Sequence, residues 1–250
     1  MGSIGANKSS AGVGAVANNT DNTFPTGDTI DTKAAMDALR KQMGQTGYEA
    51  GDPNASPHNK VYVKTSKAFN INAYLNSDGK TIDSDNSDWQ NLGYTKKDAE
   101  NAIKQIDAGM KPLPKNISVV RFIGGTALKN MFGLNTSSGQ DLQNFIARLE
   151  TDKTAQANFQ TVLQNTQYTQ KGYSSTTTVQ QHPAFDDRAV RINMVMRSGT
   201  PAIVTKNDAE MEVLGGRGLK YNFKPQFRVQ TIKSRTSGRI VKQLVIDAYV

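Results

Sequence analysis

The sequence predicts an α+β fold, on three observations. The last 80 residues carry mostly β-type patterning, the preceding 80 are helix-rich, and strands and helices do not alternate as βαβ units would require. The 250 residues are ample for one sizeable core, although the hydrophobic fraction is only 36%. Cysteine is absent, which removes disulfides, thiolate catalysis and Cys-ligated zinc. His58 and His182 are the two histidines, too few for a His-rich metal site, and no metal is expected. No apolar run approaches the length of a membrane span, and the N-terminal residues lack the pattern of a secretory signal.

Residues 1–28 are rich in Gly, Ala, Ser, Asn and Thr and read as a flexible tail or linker ahead of a single domain over 29–250. Asp31–Met43 places Ala35, Met36, Leu39 and Met43 on one helical face. Gly44–Lys60 is turn-rich, Phe69–Leu75 fits a helix or a strand, and Asn76–Ser87 is a polar loop. Thr95 and Asp98 form a capping pair for a helix striped by Ala99, Ala102, Ile103, Ile106 and Met110 and stopped by Gly109, Pro112 and Pro114. Ile117–Ile123 is a β-branched buried strand interrupted by Arg121 and ended by Gly124-Gly125. Leu142, Phe145, Ile146 and Leu149 mark a further helix. Tyr173–Val179 reads as a Ser/Thr-rich edge strand, and Val190, Ile192, Met194 and Met196 alternate as in a half-buried strand. Pro201–Thr205, Met211–Leu214, Leu219–Phe223, Phe227–Ile232 and Ile240–Tyr249 complete the strands. Gly215-Gly216-Arg217-Gly218 is not a phosphate loop, since no helix follows it, and reads as a hairpin turn.

Charge is segregated. Residues 1–110 hold 11 Lys/Arg against 13 Asp/Glu, whereas residues 111–250 hold 19 against 9. A basic half attracts phosphate groups, in a dinucleotide or a nucleic acid, or is simply a solvated face. Four features of that half carry chemistry. Arg121 is a cation in an apolar strand, and its fork suits carboxylate or phosphate unless it faces solvent. Ser174–Thr178 is a run of five hydroxyls, able to position neighbours or merely to satisfy β propensity. Alternation on a strand puts Glu210 and Glu212 on one side, roughly 7 Å apart, where two acids can divide labour or just face solvent. Phe185 with Arg188, and Arg191 beyond, sets a ring beside phosphate-binding cations, or is an ordinary loop.

In this order the features resemble the Arg–Ser-Thr-Ser–Glu-x-Glu class of mono-ADP-ribosyltransferases, in particular the enzymatic components of clostridial binary toxins that modify actin. The segments that carry the likeness are FNINAYL, AIKQIDAGMKPLPKNISVVR, GYSSTT, AFDDRAVRINM, AEMEVLGGRGLKYNF and the terminal KQLVIDAYV, from about Phe69 to Val250. The resemblance implies a helix-rich N-terminal part packed on two antiparallel-rich sheets that form an NAD cleft. It implies NAD as co-substrate, no metal, and transfer of ADP-ribose to an arginine of a target protein, actin among the possible targets. Catalytic roles fall to Glu212, Glu210, Ser175 and Arg121. Contacts to NAD fall to Arg121, Phe122, Ser175, Thr176, Phe185 and Arg188, and target recognition to Asn207, Asp208 and Glu210. Three positions depart from the pattern: Thr177 closes the Ser-Thr-Ser motif, Phe122 stands where close relatives carry a second arginine, and Asn207 replaces an aromatic residue of the actin-modifying relatives. The region before Phe69 is too short and polar for the relatives' second, partner-binding copy of the domain. The expectation is therefore a toxin or effector acting in a target-cell cytosol, brought there without a signal peptide or by a phage. Two alternatives stay open at this point: RNA or DNA as the acceptor, which the basic half would suit, and an inactive binding module of the same fold.

Overall fold

A computed structural model describes residues 24–51, 61–62, 65, 71–79, 95–185, 187–235 and 237–250. Phe69, His58 and most of the two polar loops before Thr95 lie outside the described residues. Residues 24–29, which the composition places in or beside a tail, already belong to the fold: the Phe24 ring meets Tyr249 edge-on, and β1 (Asp28–Thr29) runs parallel to β3 (Ile117–Ile123).

The helices named here are α1 (Lys33–Gln42), α2 (Ile71–Asn76), α3 (Lys96–Gly109), α4 (Gly125–Phe132), α5 (Gly139–Thr151) and α6 (Lys153–Asn165). FNINAYL resolves into helix over its described part. Thr95 and Asp98 form a full capping box on α3, as their spacing predicts. Helices α4 and α6 were not expected. Gly124-Gly125 ends the strand and at once starts α4, because Gly125 is the one residue that fits: a Cβ there would lie 1.8 Å from the Thr136 carbonyl oxygen. Helix α6 starts without a break because Asp152 ends α5 and caps α6 with its own carboxylate.

The strands are β2 (Lys111–Pro112), β4 (Tyr168–Gln170), β5 (Ser174–Thr177), β6 (Val190–Met196), β7 (Pro201–Val204), β8 (Glu212–Gly215), β9 (Leu219–Lys233) and β10 (Ile240–Tyr249). They follow one hydrogen-bonded path, β2-β7-β8-β5-β3-β6-β10-β9-β4, with β1 beside β3. The expected two sheets survive as two halves of this path, because β3 and β5 share a single pair, Val120↔Thr177. Two apolar clusters pack against the path, and the larger also takes in Val204 and Val213 of β7 and β8. Ile71, Tyr74, Ala99 and Ile106 pack with Tyr173, Ile203 and Leu214 on one side. Leu128, Leu142, Ile146 and Phe159 pack with Ile192, Leu244 and Ile246 on the other. Pairing is antiparallel except β1–β3 and β6–β10.

Several local expectations need correction. Strand β5 is interior, between β8 and β3, rather than at an edge. Strand β6 is buried on both faces, because it lies between β3 and β10 under the loop that precedes it. Strand β9 runs unbroken through Pro225, because its bulge opposite Ile246–Ala248 falls at that point. The Gly215–Gly218 segment is no hairpin: β8 and β9 are not neighbours, and the left-handed Gly218 instead bonds its N–H to the Gln170 carbonyl.

Candidate active site

Below Val120↔Thr177 the two half-sheets part, and the gap is a cleft of about 280 Å³ lined by Arg121, Phe122, Ser175, Phe185 and Glu210, with Asn72 at its rim. Asn72 fixes the start of β5 by accepting the Tyr173 N–H and donating to its carbonyl. A roomier depression of about 740 Å³, between α2, α3 and the Gly216–Gly218 segment, holds none of the residues to which the resemblance assigns a catalytic or binding role. Its charges are matched pairs, Lys171–Asp78 and Arg217–Asp107.

Glu212 opens β8 and is only 3% exposed. Ser175 donates its hydroxyl to Oε1 at 2.9 Å, and Thr205 donates to Oε2 at 3.1 Å. Each carboxylate oxygen thus has its own hydroxyl donor, which offsets part of the cost of burying the group. Thr205 also gives its backbone N–H to the Glu212 carbonyl. The sequence reading missed Thr205 in this role. The signal lay in the register: Ile203↔Leu214 and Val204↔Val213 place Thr205 opposite Glu212 once β7 and β8 are read as a hairpin.

Glu210 does not share a strand with Glu212. It sits in the turn before β8, and Met211 between them takes a left-handed φ of 48°. That conformation is strained for a residue with a long side chain and is held by burial and by Thr178, whose N–H donates to the Met211 carbonyl. The kink brings Glu210 to the cleft wall while Glu212 stays one hydrogen bond behind Ser175. Thr177 donates to the Glu210 carbonyl, so the departure from Ser at that motif position keeps a working hydroxyl. Thr176 spends its hydroxyl on the Val213 carbonyl and offers the cleft only its position.

Arg121 is half-buried in the cleft wall. Its Nη1 donates to Ser174 Oγ and to the Tyr221 hydroxyl, and those two oxygens bond each other at 3.0 Å. Burial works against the guanidinium's charge, but the surrounding phenols, Tyr221 first and then Tyr62 and Tyr168, together hold the pKa above the ordinary value. Burial likewise pushes the Tyr168 phenol up. Ser174 lies in the hydroxyl run but nothing local marks it for this role, and Tyr221 has no local signal at all; only the tertiary fold brings β9 to Arg121.

The segment between β5 and β6 carries Phe185, whose ring stacks on Phe122 at 6.2 Å. Arg188 is exposed at the outer end of that segment and is not part of the cleft wall; its carbonyl accepts from Gln243. Asn207 and Asp208 belong to the turn that leads to Glu210, and Asp208 pairs with Lys33 of α1. His182, which reads as a plain loop residue in the sequence, joins the two segments. Its Nδ1 accepts the Ala184 N–H, so Nε2 carries the hydrogen and donates to the Ala209 carbonyl at 2.7 Å, while the ring lies 5.0 Å from Phe185. His182→Ala is expected to cost about 1–2 kcal/mol of stability and to weaken any activity of the cleft severalfold, with partial recovery in His182→Gln. Thermal unfolding and turnover of the three proteins side by side check this.

Among the described residues no group of three His, Asp or Glu is placed to hold a metal ion, and no helix is long and apolar enough to cross a membrane. No curated protein matches the chain in sequence. Solved structures do match in fold. C3stau2 from S. aureus, solved with NAD, aligns with a TM-score of 0.58 at 16% identity, over 90% of this chain and 99% of that one. BECa, an ADP-ribosylating toxin of a binary enterotoxin of C. perfringens solved with NADH, aligns with a TM-score of 0.59 at 20% identity, over 88% of this chain and 48% of that one. Plx2a, an ADP-ribosyltransferase toxin from Paenibacillus larvae, aligns with a TM-score of 0.52 at 21% identity, over 88% and 98%. The family model for the ADP-ribosyltransferase exoenzyme matches residues 29–250, both half-sheets and the cleft between them, and the chain belongs to that family.

Proposed function

We propose that this chain is a mono-ADP-ribosyltransferase that splits NAD at the nicotinamide–ribose bond and transfers ADP-ribose to an arginine of a target protein. The observation that carries the reading is the Glu212 carboxylate, gripped by Ser175 and Thr205 beside a cleft that also holds Arg121 and Glu210. As the glycosidic bond breaks, its electron pair leaves with nicotinamide and positive charge develops on the ribose. A fixed carboxylate next to that centre opposes a charge present only in the transition state. Ser175 and Thr205 keep it in place so that no reorganisation is needed at the moment of reaction. Arg121 supplies the cation for the pyrophosphate, and Arg188, exposed on the segment that carries Phe185, supplies a second. The Phe185 ring, backed by Phe122, offers a flat apolar face for the nicotinamide.

Glu210 takes the second half of the reaction. It reaches the same cleft from a separate turn, where it can pair with an incoming guanidinium and accept its proton as the new C–N bond forms. Asn207 and Asp208, in that turn, are the first residues a target protein would meet. Glu210→Gln is therefore expected to lower transfer to arginine by about 10²-fold or more while sparing hydrolysis of NAD. Equal loss of both activities would end the division of labour between the two carboxylates. Incubation with labelled NAD and a whole-cell lysate, followed by protease or nuclease in separate aliquots, tests the acceptor class: protease-sensitive label is expected, and label released only by nuclease would overturn a protein acceptor.

A further inference from the structure

Phe122, which lines the cleft, also lines a second cavity of about 210 Å³, together with Gln180, Arg191, Lys233, Arg235 and Gln243. Arg191 is 8% exposed and carries the one buried charge in its wall. Its Nε donates to Asn193 Oδ1 at 2.7 Å and its Nη2 to Gln180 Oε1 at 2.5 Å. Both acceptors are neutral amide oxygens. Among the described residues its Nη1 has no partner and no carboxylate lies within ion-pair distance of the guanidinium. The nearest acid, Asp247, is engaged by Asn193 at 2.8 Å and by Arg228 at 3.8 Å. Lys233 makes no ion pair among the described residues, and Arg235 borders the same cavity but is already engaged, donating to Gln181.

A buried arginine is normally matched by an acid, because two neutral carbonyls satisfy its hydrogen bonds without cancelling its charge. Here the imbalance has a direction: Arg191 and Lys233 line one small polar cavity, and none of its described lining residues is acidic. Burial, reinforced by Arg228, pulls the Arg191 pKa below the ordinary value, the cost an anion in the cavity would remove. We propose that this cavity is a second anion site, which takes a phosphate group between Arg191 and Lys233. The walls set the chemistry: a guanidinium fork for a tetrahedral oxyanion, glutamine amides for its remaining oxygens, and the Phe122 ring for an attached sugar or base. The phosphate is either free or carried on a nucleotide, such as the 2′-phosphate that distinguishes NADP from NAD. The site does not depend on the transferase reading, since Arg121, Ser175 and Glu212 lie outside it.

Titration of the purified protein with inorganic phosphate at constant ionic strength, followed by thermal unfolding and calorimetry, tests the site. Saturable binding is expected, weakened about thirtyfold in Arg191→Gln, the loss a buried charge partner typically causes. Lys233→Glu, at an exposed position, should weaken it about tenfold and keeps the test open if the buried substitution does not fold. Arg121→Ala should leave phosphate binding unchanged. Parallel titrations with NAD and NADP separate the sources. Tighter NADP binding that Lys233→Glu abolishes identifies a nucleotide-borne phosphate, and equal NAD and NADP affinities alongside phosphate binding identify free phosphate. The proposal is overturned if phosphate shows no saturable binding, if binding survives Lys233→Glu and Arg191→Gln, or if Arg121→Ala removes it.

Discussion

Glu212→Gln is expected to abolish both transfer and NAD hydrolysis while leaving affinity for NAD largely intact. The substitution preserves shape, and Ser175 can still donate to the remaining carbonyl oxygen. What disappears is the negative charge beside the ribose, and with it a stabilisation that exists only as the glycosidic bond opens. Loss of one such preorganised electrostatic contact costs about 10²–10³ in rate, and the effect should fall on kcat rather than on binding. Single-turnover assays with labelled NAD, together with calorimetric titration, check both halves of the statement. A Glu212→Gln protein with undiminished turnover would remove the mechanism. Thr205→Val offers a graded companion: it deletes one of the two hydroxyl donors and should give a smaller loss in the same direction.

The second large effect is on stability, and it comes from a residue that no catalytic motif contains. Arg40 of α1 is 3% exposed and works as a substitute strand along the outer edge of β7. Its Nε donates to the Val204 carbonyl and its Nη2 to the Thr205 carbonyl, both at 3.0 Å, while Asp37 balances the charge. Gln45 continues the edge, accepting the Val204 N–H and donating to the Ala202 and Gly109 carbonyls. Without Arg40 two buried carbonyls would be left unsatisfied. Arg40→Ala is therefore expected to cost about 3 kcal/mol or more and to lower the Tm by roughly 6–12 °C. Because Thr205 loses its anchor, turnover should fall as well, even below the unfolding transition. Denaturation by urea paired with an activity measurement at low temperature separates the two losses. A Tm within a degree or two of wild type would show that α1 is dispensable to the β7 edge.

How far the sequence carries depends on whether a feature is local. The capping box at Thr95 and Asp98 and the strand Ile117–Ile123 follow from neighbours a few residues apart, and the structure has them at those positions. The contacts that make the cleft are long-range. Arg121 meets Tyr221 a hundred residues away, and Arg40 meets Thr205 across 165 positions. His182 has no triad or metal pattern around it in the sequence, yet it ties the Phe185 segment to the turn that carries Glu210. Helix α4 was hidden by glycines that ordinarily mark a break, and only the close approach of Thr136 explains why Gly125 belongs there.

The amino-acid sequence by itself determined the α+β class and supplied the residues proposed above for NAD chemistry, because periodicity, capping and motif order are written in short spans of chain. Tertiary structure alone decided how those residues meet. It parted the half-sheets after one shared pair, turned Met211 left-handed so that Glu210 and Glu212 leave the chain in separate settings, and set Ser175 and Thr205 on the two oxygens of Glu212. The physical reason is that such contacts depend on sheet order and register, which arise from burial summed over the whole domain and leave no mark in any single segment.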